Sequence, residues 1–407
     1  MKNRRHASCP HRRVLILILC LGLSVGIKAQ LPELSLAEAE EIMRSEHPEL
    51  KLSNLSTQQT QVSKGAIWQP DPLQLQYQRG QMNTLAQDNY LGITQDLGRP
   101  WLAWAERSTW QSRTQVAQLK EATLERELRY RLRESWYYWQ AINAQAILIK
   151  EQVQSLLEIQ SLVKVRVEAG ADNQVALLQL SLTLQNLLEQ QIALQIEQEA
   201  ASLAFQQALG WEEEALPQRQ ALIELPFILD TSLAALEIHP LLTEFEAKSD
   251  LASAMTQVEK AKLGPGFQIG YFSQSIDGQR GFDGFNVGLS VPLIFNAQSA
   301  NRQIATLEGD KTEIENDWQR QQIRREIENL RLKAQIIRNQ LEILRDESLP
   351  IAQQLRETTL LQYRQGATDY FPVQQAIQAE LAIRKRYLQT IAHWNETINR
   401  LNYWLDV

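Results

Sequence analysis

The 407-residue chain is nearly free of cysteine: Cys9 and Cys20 are the only two, and both lie in the first twenty positions. Once that segment is gone no thiol is left, which excludes disulfides and thiolate metal sites. No later stretch is apolar over the ~18–20 residues that a membrane helix needs. If such a chain enters a membrane after export, it does so as a closed β-barrel. Positive charge is also scarce. Beyond residue 29, 35 Lys and Arg stand against 48 Asp and Glu, a net charge of about −13. No basic face is offered to nucleic acid. Three histidines and three methionines remain in that part, without clustering. His47 and His239 each precede a proline and read as helix-start features, and His393 stands alone, so no metal site is expected. No G-x-S-x-G, phosphate loop or H-E-x-x-H occurs, so neither an enzyme nor a cofactor is expected.

What is present begins with a positive segment. Lys2, Arg4, Arg5, Arg12 and Arg13 precede the apolar run Val14–Leu23, and Ala29 follows with small residues nearby. This is the layout of a cleavable export signal, residues 1–29; the alternative is an uncleaved anchor, for which the run is short. Cys20 follows Leu19 inside the run, not a small residue at its end, which argues against lipid attachment.

The remainder reads twice. Ser35-Leu36-Ala37-Glu38-Ala39 running to His47-Pro48 is answered by Ser232-Leu233-Ala234-Ala235-Leu236 running to His239-Pro240. Val165–Asp172 is answered by Gln362–Asp369, so the offset is near 195 residues at both places. A long-period duplication means one structural unit used twice. The spacing predicts a first repeat over 30–230: a helix, a β-hairpin over 72–97, a long helix over 101–168, a helix over 174–209 and an equatorial segment over 211–230. It predicts a second over 231–407: a helix, a hairpin over 266–292, a long helix over 298–364 and a helix over 370–405. Leu128, Leu132, Ser135, Trp139 and Ile142 step by four and three, as do Ile323, Ile327, Leu330, Ala334 and Ile337. Sustained spacing of this kind is a coiled-coil seam. The long helices would each reach about 100 Å, and in each half the two shorter helices, stacked end to end, would match that length. Gly170 and Gly366 stand where the long helices must turn back. Pro350 is expected to kink the second of them.

Four segments break the helical pattern. Leu73, Leu75 and Tyr77 alternate with glutamines; Phe267, Ile269 and Tyr271 alternate with Gln268 and Gly270; Phe285, Val287 and Leu289 alternate with Asn286 and Gly288. A fourth strand lies near Tyr90–Gln95. Period-two alternation gives one polar face, suited to a wet lumen, and one apolar face, suited to lipid. Two hairpins cannot close a barrel, since the smallest membrane barrels have eight strands. Either several chains contribute, three of them giving twelve strands, or the strands pack on a soluble core.

At this point the chain resembles the TolC family of outer-membrane efflux proteins over nearly all of its length beyond the signal. The resemblance rests on the duplicated Leu-Ala…His-Pro starts, on Gly92-Ile93-Thr94-Gln95-Asp96-Leu97-Gly98 and on Val287–Leu293. It rests also on Leu349-Pro350-Ile351-Ala352 and Tyr363-Arg364-Gln365-Gly366. It implies a mainly α homotrimer. A long helical barrel would cross the periplasm, and four strands per protomer would join a 12-stranded β-barrel in outer-membrane lipid. The implied partners are a periplasmic adaptor (a membrane fusion protein) and an inner-membrane pump, expected to be of RND type. The short equatorial segment leans toward the heavy-metal-efflux subgroup. Where several members carry gate acids, this chain reads Pro372 and Gln375, so the aperture candidates become Asp172, Asp369 and Gln375, beside the tip turns at Gly170 and Gly366. The two aspartates either form rings of carboxylate or cap the helices that follow. The reading from another class is a soluble periplasmic coiled-coil or adaptor-like protein, which would not need detergent for extraction.

Overall fold

The computed structural model describes residues 31–66, 71–82, 85–227, 234–291 and 296–405. The segment read as an export signal lies outside them, as does the end of the equatorial stretch. The first half runs β1 (Glu33–Leu34), α1 (Leu36–Glu46), α2 (Pro48–Ser63), β2 (Gln74–Gly80), β3 (Asp88–Gly98), α3 (Pro100–Glu168), α4 (Gln174–Leu209) and β4 (Leu216–Pro217). The second runs α5 (Ala234–Glu237), α6 (Pro240–Ala261), β5 (Gly266–Ile276), β6 (Gln279–Ser290), α7 (Asn296–Ile343), α8 (Leu349–Arg364) and α9 (Tyr370–Leu405).

The α3 helix has 69 residues, about 100 Å at 1.5 Å per residue. Its seam is buried: Leu128, Leu132, Ser135, Trp139, Ile142, Ile149 and Leu156 all lie in the interior. On one stretch α3 meets α2, where Asn54 Nδ2 and Thr57 Oγ1 donate to Glu121 at 3.0 and 2.7 Å. Further along it meets α4, where Trp139 Nε1 donates to Ser202 Oγ at 3.0 Å. One long helix is thus lined by two shorter ones in succession.

Both shorter helices predicted at the repeat starts are broken. His47 (ψ 124) separates α1 from α2 and His239 (ψ 130) separates α5 from α6. The cause is local: a following proline crowds the preceding residue out of the helical region. Each imidazole then caps the helix after it. His47 Nδ1 accepts from Glu49 N at 3.2 Å and His239 Nδ1 from Leu241 N at 3.1 Å. The second long helix is also interrupted. A π-helical turn, Leu344–Ser348, joins α7 to α8 just before Pro350. Proline removes a backbone donor and crowds the carbonyl four residues back, and a π turn absorbs both faults without ending the helix.

Four strands form one antiparallel sheet in the order β2-β3-β5-β6, so the two hairpins are joined through β3 and β5, while β1 and β4 make a separate parallel pair. The polar stretch 275–283 is not an open loop; β5 and β6 extend through it to a tight turn at Asp277 and Gly278, both at positive φ. Paired main-chain bonds outweigh the polar side chains because the latter point alternately to the two faces.

The segment after β4 is strapped to the helices. Gln140 Nε2 donates to Gln218 O at 2.7 Å, and its Oε1 accepts from Gln220 N at 3.2 Å. Asn395 Oδ1 accepts from Leu225 N at 2.9 Å, and its Nδ2 donates to Ile223 O at 2.8 Å. Two buried amides stand in for a strand partner, satisfying backbone groups that would otherwise be stranded.

Candidate aperture and membrane face

The two helical turns are built alike. In the first, Gly170 N donates to Val167 O at 3.0 Å and Ala171 N to Arg166 O at 2.8 Å; in the second, Gly366 N donates to Tyr363 O at 3.1 Å and Ala367 N to Gln362 O at 2.9 Å. This paired pattern closes a helix when the residue after the cap is left-handed, and Gly170 and Gly366 have φ of +74° and +76°.

The helix after the first turn is capped by Asn173, whose Oδ1 accepts from Ala176 N at 3.1 Å, and not by Asp172. Counting from the two glycines, Asp369 corresponds to Asn173 and Asp172 to Thr368, a register one residue away from the pairing of the two aspartates expected above. The aspartates therefore occupy different surroundings. Asp369 and Gln375 are exposed on the start of α9. Asp172 is half-buried, and its Oδ2 accepts from the Tyr363 hydroxyl at 2.9 Å.

Tyr363 and Arg166 are the residues that sequence reasoning passed over. Tyr363 is fully buried beside Tyr370, in a core shared by both turns that includes Val163, Ala176, Leu180 and Val373. The Arg166 guanidinium lies 4.3 Å above the Tyr363 ring. It donates to the Tyr363 carbonyl and, at 3.4 Å, to those of Ala171 and Thr368. One cation thus holds the ends of α3 and α8 together, and the Asp172–Tyr363 bond closes the same junction from the other side. Burial, and next the Asp172 carboxylate, push the Tyr363 phenol well above its ordinary pKa, so it stays a donor. Burial alone pushes Tyr370 up to about 12. A tyrosine within an apolar seam was the available signal, because a buried hydroxyl requires a partner. Arg166 carried none: an arginine in the last turn of a helix is ordinary.

The sheet has one apolar side. Register places Leu75 opposite Ile93, Tyr77 opposite Leu91, Ile93 opposite Tyr271, Ile269 opposite Val287, Tyr271 opposite Phe285 and Phe267 opposite Leu289. Paired residues share a face, so these form one continuous surface. Leu73 precedes β2 in the same alternation. Most of this surface is open; Phe285 is 86% exposed and Val287 79%. The other side carries glutamines, Thr94, Asn286, six glycines and the stacked pair Tyr90–Phe272. The sheet ends in open edges at β2 and β6.

Residues 232–405 match the family of outer membrane efflux proteins. That part of the chain is similar to the family, and it makes up less than half of the sequence. The family is one of transport channels, not enzymes. No curated protein matches the sequence. Among solved structures, CusC, described for its transmembrane channel formation, has a TM-score of 0.78 at 17% identity over 95% of both chains. The CmeC outer membrane channel of Campylobacter jejuni has a TM-score of 0.74 at 13% identity, covering 91% of this chain and 85% of that one. The open-state MtrE outer membrane channel of Neisseria gonorrhoeae scores 0.74 at 12%, covering 91% and 88%. At these identities the likeness is one of fold, and it extends over both halves.

Proposed function

We propose that this chain is the outer-membrane channel of a tripartite efflux system, working as a homotrimer with a periplasmic adaptor and an inner-membrane pump of RND type. The observation that carries the reading is the sheet: an exposed apolar face with two unpaired edges. The apolar face is costly in water, and the open edges are costly in lipid, because hydrocarbon offers unpaired backbone groups no partner. Three copies joined edge to edge give a closed barrel of twelve strands, with Leu73, Leu75, Tyr77, Phe267, Ile269, Tyr271, Phe285, Val287 and Leu289 toward lipid. The long helices then continue that wall as a tube through the periplasm. The two halves, divided near residue 230, are one unit duplicated; the matched turns and the paired His-Pro breaks support this.

The aperture lies at the helical turns. Arg166, Tyr363 and Asp172 hold the two turns of one chain together, which favours a narrow state. Exposed Asp369, repeated three times, supplies an acidic ring for cations, with Gln375 one helical turn and a half beyond. A metal cation is the substrate class we favour, on the fold likeness to CusC and the short equatorial segment.

The test is mass in detergent. The full-length exported protein, solubilised from membranes, should run as a stable assembly of three chains, and salt washing without detergent should not release it. A monodisperse single chain, or release by salt alone, would overturn the channel in favour of a soluble coiled-coil protein.

A further inference from the structure

A groove of about 890 Å³ lies where the sheet meets the first turns of α3. Leu97, Pro100 and Ala103 line it together with Lys64, Trp104 and Arg107. Trp104 is 75% exposed, an unusual position for the largest apolar side chain. Lys64 and Arg107 are exposed beside it, and no carboxylate lines the groove among the described residues.

The groove is continuous with the sheet's apolar face. Phe267 belongs to that face through its pairing with Leu289. The Trp101 ring stands edge-on to Phe267 at 5.5 Å. Trp104 follows Trp101 by three residues, a spacing that makes helix side chains neighbours. Leu97 is the extra residue at the bulge between Asp96 and Gly98, where β3 leaves the sheet. Passing from sheet to helix, the surface is therefore apolar, then tryptophan, then positive. A bilayer changes in the same order, from hydrocarbon through the interfacial region to phosphate.

We propose that this groove seats a phospholipid of the adjoining leaflet, with Trp104 at the depth of the glycerol backbone and Lys64 and Arg107 on the headgroup phosphate. The site fixes the height of the channel in the membrane. This inference rests on the barrel reading, because only a membrane-embedded sheet brings a leaflet to this level.

Native mass spectrometry of the full-length protein in detergent, titrated with phosphatidylglycerol, tests it. Lys64→Gln and Arg107→Gln should each lower the lipid-bound population about five-fold, the effect of one cation near a lipid surface. Trp104→Ala should lower it too, with the mass of the protein assembly unchanged. Arg113→Gln is the control, since Arg113 stacks on Trp110 at 4.8 Å outside the groove; it should leave lipid retention intact. Excess inorganic phosphate should not displace the lipid. Equal retention in all variants overturns the proposal. So does displacement by phosphate, which would make this a small-anion site, and so does a changed assembly mass at constant lipid, which would make it a contact between copies. A wild-type protein that leaves the membrane on salt washing would instead strike the barrel reading itself.

Discussion

At the scale of residues the proposed aperture turns on how three side chains share one junction. Tyr363 is buried and must have an acceptor; Asp172 provides it, and Arg166 occupies the ring face and the nearby carbonyls. Tyr363→Phe keeps the packing and deletes one hydrogen bond to a charged group, a change of about 1.5–3 kcal/mol. If that bond favours the narrow state, the open fraction in single-channel recordings should rise by about ten-fold or more. Asp172→Asn keeps an acceptor oxygen for Tyr363 and should have a smaller effect. Asp369→Asn should do something different, because its side chain is exposed: cation preference and block by divalent ions should weaken while open lifetimes stay unchanged. Open lifetimes unaltered in Tyr363→Phe would reduce the junction to packing alone.

At the scale of elements the chain repeatedly has to pass from one helix to another, and the solutions are local. The α4 helix ends at Gly210, with φ of +64°, against the ring of His47. The same histidine caps α2. Gly210→Ala would therefore face two faults, a strained backbone of roughly 1–2 kcal/mol and a Cβ overlapping the imidazole. His47→Ala in the same chain should remove the second fault and leave the first, so the two substitutions should be clearly less than additive in thermal denaturation of the assembly; simple additivity would mean the contact is not made. Burial also pushes the His47 pKa down, which keeps unprotonated the Nδ1 that the cap uses as acceptor. The stability from this group is present above the ordinary histidine value near 6.5 and is lost as pH falls through the lower native value. The breaks at His47 and His239 follow from the prolines and were open to reading. The straps from Gln140 and Asn395 were not, because an amide on a helix seam looks the same whether it meets water or a distant backbone.

At the scale of the whole molecule orientation follows from connectivity. The helices that adjoin the sheet, α2, α3, α6 and α7, all do so at one end, so Gly80, Asp88 and the turn at Asp277–Gly278 lie at the other, and the glycine turns lie about 100 Å from the base of the sheet along α3. With the sheet in the outer membrane, the hairpin tips face outward and the glycine turns face the periplasm. A chain without thiols beyond Cys20 permits a direct check. Gln87→Cys should react with an impermeant probe on intact cells, whereas Ala171→Cys should react only after the outer membrane is opened. The reverse pattern would invert the topology.

Some of this was decided by the sequence by itself. Heptad spacing sets which side of each long helix is buried, because period determines face. Period-two alternation sets the two faces of the strands, and the glycines and prolines set where helices end or bend. Each of these is a property of neighbours along the chain. The joining of the hairpins through β3 and β5, the Arg166–Tyr363–Asp172 junction and the groove beneath the sheet were decided only by the tertiary structure. They bring together residues far apart in sequence, such as Asp172 and Tyr363, and no local pattern records which distant partner a buried hydroxyl or an exposed cation will meet.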